Sequence, residues 1–284
     1  MNEDGNVSRF FNKGAGERKL TFQLSPKYTD TAKHGDKDLP DNYIGAGWLL
    51  AEMDQAAGLR AHTYTGGRTV TRAIKAMSFD NPVKVGDFVQ IFTEVVSQGR
   101  SSLTVKVESW AESRATGEYN KVTEGMFTFV AVNENHKPVD IATGLEITGR
   151  PQRTAAPDPP PQGTLIKTVI PGKENRNYLG DVFGGWVLAQ MDDAATEVAG
   201  LHTGREVATR GIEDMAFHKP VFYEDEVSFY GDVVKTGNTS VTIKIEAWAK
   251  RKDGGQNEKV TEGLFTYVAL DKNRTPVTIV PQQP

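Results

Sequence analysis

Apolar residues recur with two different spacings along this chain, and each spacing predicts one kind of element. Residues 186–199 are rich in good helix formers and contain no glycine or proline, which predicts a helix that ends near Gly200. The stretches that follow alternate apolar and polar residues, as half-buried strands do. They cover residues 227–234, 241–248 and 260–270.

The same series occurs earlier in the chain at a constant offset of 138 residues. Trp48 pairs with Trp186, and Trp110 pairs with Trp248. About half of the positions between 48 and 141 match their partners. Two copies of one unit predict a fused dimer with pseudo-twofold symmetry. The strands of the first copy are expected at residues 89–96, 103–110 and 122–132.

A proline-rich segment separates the copies and predicts a semi-rigid linker. We therefore expect an N-terminal tail (1–17), a first domain (18–143), the linker (144–162) and a second domain (163–281). A long helix followed by consecutive strands, antiparallel by expectation, predicts an α+β fold in which a curved sheet wraps the helix.

Composition and charge exclude several classes of protein. The 284 residues include 33 basic and 37 acidic ones, and no basic stretch of the kind that binds nucleic acid is present. Cysteine is absent, which removes thiol nucleophiles, disulfides and thiolate metal sites. No apolar run approaches the roughly 18 residues of a membrane helix, and residues 1–19 lack the apolar core of a signal peptide. We expect a cytoplasmic protein with no nucleic-acid or membrane partner.

The five histidines do not support a metal site. None lies opposite another histidine at the 138-residue offset, and none has the close spacing of paired ligands. The same observation weakens a symmetric Ser-His-Asp arrangement. The glycines at 180, 184 and 185 match neither a phosphate-binding loop nor a dinucleotide fingerprint. We expect no metal and no cofactor.

The segment before the second helix resembles a known signature. The sequence Asn-Tyr-Leu-Gly-Asp-Val-Phe-Gly-Gly-Trp at 177–186, followed by Gln-Met-Asp at 190–192, resembles the active site of hotdog-fold acyl-CoA thioesterases. The resemblance covers nearly all of both copies. It implies two tandem hotdog domains paired through a continuous sheet, hydrolysis of an acyl-CoA thioester, and assembly of several fused units, three by expectation.

The resemblance also implies that an acid on the helix is catalytic, as base or nucleophile, and that the helix N-terminus of the opposite hotdog polarises the thioester carbonyl. Asp192 and its counterpart Asp54 lie among small and apolar residues, which would raise the pKa of either carboxyl toward that of a useful base. The alternative is a surface acid that makes a local ion pair.

Gly184 and Gly185 open the second helix, where backbone N–H groups can act as oxyanion donors. Seven residues of helix separate Gly185 from Asp192, or about 10 Å at roughly 1.5 Å per residue. One carbonyl group cannot approach both groups. The amide and the carboxylate of a site must therefore come from different copies.

The two sites are expected to be unequal. The spacing from asparagine to tryptophan is nine positions in the second copy (177–186) but six in the first (42–48), so Asp181 and Phe183, a candidate substrate contact, are expected to have no counterpart. A weak or inactive site is predicted around Asp192. The competent site is predicted to contain Asp54, Asn177, Asp181, Gly184 and Gly185.

Five further residues are candidates for substrate binding. Thr71 and Thr209 start matching strands and are candidates for orienting water or the carboxylate, or are ordinary strand residues. Arg72 and Arg210 are candidates for a CoA phosphate or for balancing a buried acid. Arg100, in a hairpin turn, is a third phosphate candidate.

A non-enzymatic alternative is an acyl-CoA-binding or sensing module, because a fold does not fix a function. Retention of the helix acid in both copies favours hydrolysis, since binding alone does not need a desolvated carboxylate. The hotdog hydratases and dehydratases are disfavoured because they rely on a catalytic histidine.

Overall fold

The computed structural model describes residues 17–27, 43–148, 158–177, 180–252 and 254–280. Residues 1–16 of the predicted tail, the middle of the predicted linker and Asn42 lie outside these ranges, and the predicted domain boundaries stay predictions. The first copy contains β1 (Lys19–Leu24), α1 (Ala46–Thr65), β2 (Thr69–Ile74), β3 (Met77–Ser78), β4 (Phe88–Gln98), β5 (Ser102–Glu112) and β6 (Tyr119–Ala131). The second copy contains β7 (Thr164–Val169), one 3-10 turn (Lys173–Asn175), α2 (Gly184–Thr203), β8 (Glu206–Ile212), β9 (Met215–Ala216), β10 (Glu226–Thr236), β11 (Ser240–Lys250) and β12 (Asn257–Leu270).

Each helix ends at a glycine in the left-handed region. Gly66 (φ 69°) follows α1 and Gly204 (φ 61°) follows α2, and each donates its N–H to the carbonyl four residues earlier. The prediction that α2 ends near Gly200 is therefore wrong by one turn. Gly200 is tolerated inside the helix, and the chain turns away only where a glycine adopts positive φ.

The strands form two six-stranded antiparallel sheets, and one edge strand of each sheet comes from the other copy. Their orders are β1-β4-β5-β6-β2-β9 and β3-β8-β12-β11-β10-β7. The short strands β3 and β9 each cross to the sheet of the other copy, where Ala73 pairs with Ala216 and Met77 with Ile212. The copies are thus joined by an exchange between two sheets, whereas the resemblance implied one continuous sheet.

The two helices pack closely against each other beneath these sheets. At one end of the contact, a Cβ added at Gly47 would lie 3.1 Å from the Cα atom of Ala189. The approach is tightest at Gly185, where an added Cβ would lie 2.8 Å from the Cα atom of Ala51. Glycine is required there, and this approach places the start of α2 beside the middle of α1.

Candidate active site

Asp54 of α1 lies at the contact between the copies and is 3% exposed. Its Oδ2 atom accepts a 2.7 Å hydrogen bond from the backbone N–H of Gly185, at the start of α2. Its Oδ1 atom accepts a 2.8 Å hydrogen bond from the hydroxyl of Thr71, on β2. The structure therefore brings the carboxylate of one copy against the helix N-terminus of the other.

Burial raises the pKa of Asp54 from 3.8 to about 6, and the hydrogen bonds from Thr71 and Gly185 offset part of this effect. A carboxyl group with a pKa near 6 is ionised at neutral pH and is still basic enough to accept a proton. Both features are required of a general base.

A cavity of about 590 Å³ opens beside Asp54. The loop before α2 lines it through Asn177, Asp181, Phe183 and Gly184. Much of the remaining wall is apolar and comes from both copies, including Phe22, Leu59, Phe129, Val182, Val187 and Phe217. An elongated apolar ligand with one polar group fits the chemistry of such a wall.

The two glycines predicted as oxyanion donors have different surroundings. The N–H of Gly185 is bonded to Asp54, and Gly185 is not part of the cavity wall. Gly184 lines the cavity, and its N–H makes no hydrogen bond within the ranges of the chain that the structure describes. The first N–H groups of a helix have no intrahelical partner. Gly184 is thus the donor available to a ligand.

Asn177 and Asp181 close a short turn in front of α2. The Asn177 Oδ1 atom accepts a 3.1 Å hydrogen bond from the N–H of Asp181, and the N–H of Asn177 donates to the Asp181 carbonyl at 2.7 Å. Gly180 adopts a φ of 91° within this turn, which favours glycine. Residues 178 and 179 lie outside the described ranges.

His136 was not among the site residues predicted from the sequence. Its Nε2 atom lies 2.8 Å from Oδ2 of Asp181, and both side chains line the cavity. The 138-residue offset relates equivalent positions of the two copies. It does not reveal this contact, because His136 of the first copy meets a non-equivalent residue, Asp181, of the second. No local motif marks a pair that forms only when the copies associate.

The second carboxylate, Asp192, has matching hydrogen bonds and one additional partner. It accepts 2.8 Å hydrogen bonds from the N–H of Gly47 and the hydroxyl of Thr209. It also accepts a 2.9 Å hydrogen bond from the hydroxyl of Tyr267, which is fully buried. Burial raises the pKa of Asp192 despite these bonds. The residue at the Tyr267 position in the first copy is Phe129, so Asp54 has no such hydroxyl.

The loop before α1 differs from its prediction. Tyr43 bridges Lys84 in the same way as Asp181 bridges Phe222, at the repeat offset of 138. Asp181 and Phe183 therefore do have positional counterparts, which are Tyr43 and Gly45, although neither supplies the same chemistry. The missing residues lie before Tyr43, in a segment outside the described ranges.

The three candidate arginines have different partners. Arg210 donates to the carbonyl of Phe79 and, at 2.7 Å, to the carboxylate of Asp80. Arg100 is paired with Asp140 at 2.9 Å and is not part of the cavity wall. Arg72 does line the cavity. Its side chain makes no ion pair with any residue in the described part of the chain.

Within the described residues, no group of three or more acids and histidines is placed to hold a metal ion. None of the described helices has the length and apolar character needed to cross a membrane.

The fold and the site together define a class of protein. The family model of the thioesterase superfamily matches residues 43–118 and 179–255, more than half of the chain. The chain therefore belongs to the thioesterase superfamily and is a thioester hydrolase with two tandem hotdog domains. The resemblance noted in the sequence and the predicted α+β fold are confirmed.

Two bacterial relatives each align with less than half of this chain. The chain is 40% identical to the acyl-CoA thioester hydrolase YciA of Escherichia coli (strain K12), over 41% of this chain and 90% of the relative. It is 39% identical to YciA of Salmonella typhimurium, over 42% of this chain and 92% of the relative. An acyl-ACP thioesterase structure from Bacteroides thetaiotaomicron aligns with 88% of this chain and 97% of its own, with a TM-score of 0.57 and 14% identity. That last likeness concerns the fold alone.

Proposed function

We propose that the protein hydrolyses the thioester of fatty acyl-CoA at one competent site, built from Asp54 and the start of α2. The observation that carries this proposal is the 2.7 Å hydrogen bond between Gly185 and Asp54, beside an apolar cavity of about 590 Å³. The names of the YciA relatives support the choice of substrate.

In the proposed reaction Asp54 acts as the general base. Its carboxylate, oriented by Thr71 and Gly185, removes a proton from a water molecule that attacks the thioester carbonyl. The Gly184 N–H donates to the carbonyl oxygen as negative charge develops on it, a contribution worth about 10²–10³ in rate for one donor. The C–S bond then breaks, the acid product forms, and Asp54 returns the proton to the CoA thiolate.

The Asp192 site is proposed to be inactive. The Tyr267 hydroxyl donates to one oxygen of its carboxylate, and the residue at the Asp181 position in the first copy is Tyr43, which has no carboxylate. A carboxylate that already accepts three hydrogen bonds is a weaker base than one that accepts two.

Separate substitution of the two acids tests the proposal. Asp54→Asn and Asp192→Asn are assayed for release of free thiol from acyl-CoAs of several chain lengths. We expect Asp54→Asn to lose roughly 10²- to 10⁴-fold of kcat, the typical range for a general base, and Asp192→Asn to stay near the unsubstituted enzyme. Equal losses, or an active Asp54→Asn enzyme, would contradict the one-site proposal. Tight binding of acyl-CoA without any turnover would instead indicate a sensing module.

We further propose that three chains assemble, so that six hotdogs form one particle. Large apolar side chains are exposed at matching positions of the two copies, Val96 (42%) and Val234 (51%), which is consistent with a surface that is covered in an oligomer. Sedimentation equilibrium should give three times the chain mass of 31.1 kDa. A particle of one or two chains would exclude the trimer.

A further inference from the structure

A histidine from the first copy reaches into the second copy's part of the site. His136 follows β6, and its imidazole contacts the Asp181 carboxylate at 2.8 Å. The His136 side chain is 35% exposed and the Asp181 side chain 13%. Both line the cavity that also contains Asp54. The contact therefore forms part of the cavity wall.

The His136 ring packs against an aromatic side chain, and the His136 backbone has an unusual conformation. The ring packs edge-on against Phe222, with centroids 5.7 Å apart and an interplanar angle of 71°. The His136 backbone has a φ of 58°, in the left-handed region that residues other than glycine rarely adopt. Unusual backbone conformations persist where surrounding contacts hold them, and they cluster at functional sites.

Asp181 connects the His136 contact to Asn177. The two residues share a pair of hydrogen bonds, of 2.7 and 3.1 Å, that define the turn. Because the Asn177 Oδ1 atom accepts one of them, the donor end of its side chain is its NH₂ group. Whatever fixes Asp181 therefore fixes the orientation of Asn177 at the cavity wall.

We infer that His136 is a positioning residue of the Asp54 site, which acts through the Asp181 carboxylate to hold the Asn177 turn in the geometry needed for turnover. This inference rests on the proposed function and adds a residue to it. His136 itself carries no step of the reaction.

The pseudo-symmetric position supplies a natural comparison. Arg274 occupies the same turn in the second copy, with a φ of 59°. Its guanidinium lies 3.8 Å from the centre of the Tyr43 ring and pairs with Glu206. Both copies thus make a contact across the interface at this turn. Only the His136 contact ends on a carboxylate in the cavity wall.

The test compares His136→Gln with His136→Leu. Glutamine keeps a donor near the position of Nε2, whereas leucine has a similar size and no donor, and neither favours positive φ. We expect His136→Leu to lower kcat roughly tenfold or more, since small displacements in a site cost that much, with KM nearly unchanged. His136→Gln should keep kcat within about threefold, because a neutral donor preserves most of the bond. Both variants should lose similar thermal stability. Arg274→Gln, the matched control, should leave kcat unchanged.

A double-mutant cycle links the effect to Asp181. Once Asp181→Ala is present, His136→Leu should have little further effect on kcat. Equal kcat losses in the glutamine and leucine variants, or additive losses in the cycle, would overturn the inference and leave His136 an architectural contact. An unsubstituted enzyme that does not hydrolyse acyl-CoA, or an active Asp54→Asn variant, would refute the proposed function instead.

Discussion

At the scale of single residues, the two buried carboxylates differ by one hydrogen-bond partner. Asp54 and Asp192 are both buried, and each accepts one hydrogen bond from a glycine N–H and one from a threonine. The Tyr267 hydroxyl is the additional partner of Asp192. One phenolic hydroxyl therefore distinguishes the hydrogen-bond partners of the two acids.

The raised pKa of Asp54 predicts opposite effects of pH on activity and stability. Hydrolysis should rise with pH around a midpoint near 6, because the base must be ionised. The folded-state pKa exceeds the unfolded value of 3.8, so the native protein binds the proton more tightly. The Asp54 contribution to the free energy of unfolding is therefore most favourable below pH 3.8, falls as pH rises through this window, and stays low above pH 6.

Asp54→Asn removes the free-energy cost of burying an ionised carboxylate at this position. Asparagine can still accept from Gly185 and donate to the Thr71 hydroxyl. At pH 8 the variant should unfold with a free energy higher by up to about 3 kcal/mol, which corresponds to the pKa difference. Urea unfolding at pH 8 and pH 4 measures the effect, and the gain should shrink at pH 4. A variant less stable than the unsubstituted protein at pH 8 would contradict a raised pKa.

A reciprocal exchange of ring hydroxyls tests the difference between the sites. Phe129 pairs across the sheet with Thr71, as Tyr267 does with Thr209. Phe129→Tyr should place a hydroxyl on Asp54, lower its pKa, shift the midpoint of the rate–pH profile below 6 and reduce kcat by roughly tenfold. Tyr267→Phe should leave the rate unchanged and cost about 1–3 kcal/mol of stability. A faster enzyme from Tyr267→Phe would show that the second site is only masked.

At the scale of the elements, the first residues of each helix lie against the buried carboxylate of the other helix. The close approach of α1 and α2 brings each helix start onto the middle of the other helix. Gly184 begins α2 and Ala46 begins α1 at the matching position. An alanine is therefore compatible with this fold at a helix start.

Gly184→Ala should consequently fold normally and still lose activity. The added Cβ would lie 3.1 Å from the Thr71 hydroxyl oxygen and 3.4 Å from Oδ2 of Asp54, where the proposed mechanism places the thioester carbonyl. We expect kcat to fall by roughly 10- to 100-fold, as for disturbed oxyanion donors, with a nearly unchanged unfolding temperature. Ala46→Gly is the matched control and should not alter the rate. Full activity in Gly184→Ala would show that the thioester carbonyl does not enter the space beside Gly184 that the added Cβ occupies.

At the scale of the whole molecule, fusion of the two copies allows surfaces that would be identical in a homodimer to diverge. Arg210 of the second copy meets Asp80 of the first. The pseudo-symmetric position facing Arg72 is His218, a residue without a negative charge. Arg72, His218 and Lys219 all line the cavity. Arg72 makes no ion pair within the described residues, so its guanidinium is available to an incoming anion.

This asymmetry predicts different roles for the two arginines. Arg72→Gln should raise KM for acyl-CoA roughly tenfold, by loss of a charge-assisted bond to a phosphate, with kcat little changed. A thioester of N-acetylcysteamine, which has no phosphate, should show no change in KM. Arg210→Gln, whose side chain is already paired within the protein, should leave both KM values as they are. Equal effects on the two substrates would place Arg72 away from the phosphates.

The sequence by itself determined the repeat, the two helices, the main strands and the two helix acids. These features follow from local periodicity and from the 138-residue offset. Helix length alone also required that the amide and the carboxylate of a site come from different copies. The sequence did not show where the loops before α1 and α2 differ. The spacing from asparagine to tryptophan cannot reveal that Tyr43 occupies the position of Asp181.

Only the tertiary structure decided which contacts form between the copies. The Gly185–Asp54 and His136–Asp181 contacts join residues 131 and 45 positions apart. Neither contact leaves a periodic signal, since both depend on how closely the helices approach and on which edges the sheets exchange. The same holds for the contact between Arg210 and Asp80. The contact between Tyr267 and Asp192 lies within the second copy and depends on how β12 packs against α2. Local patterns specify elements, whereas the surroundings of a charged group depend on every element packed against it.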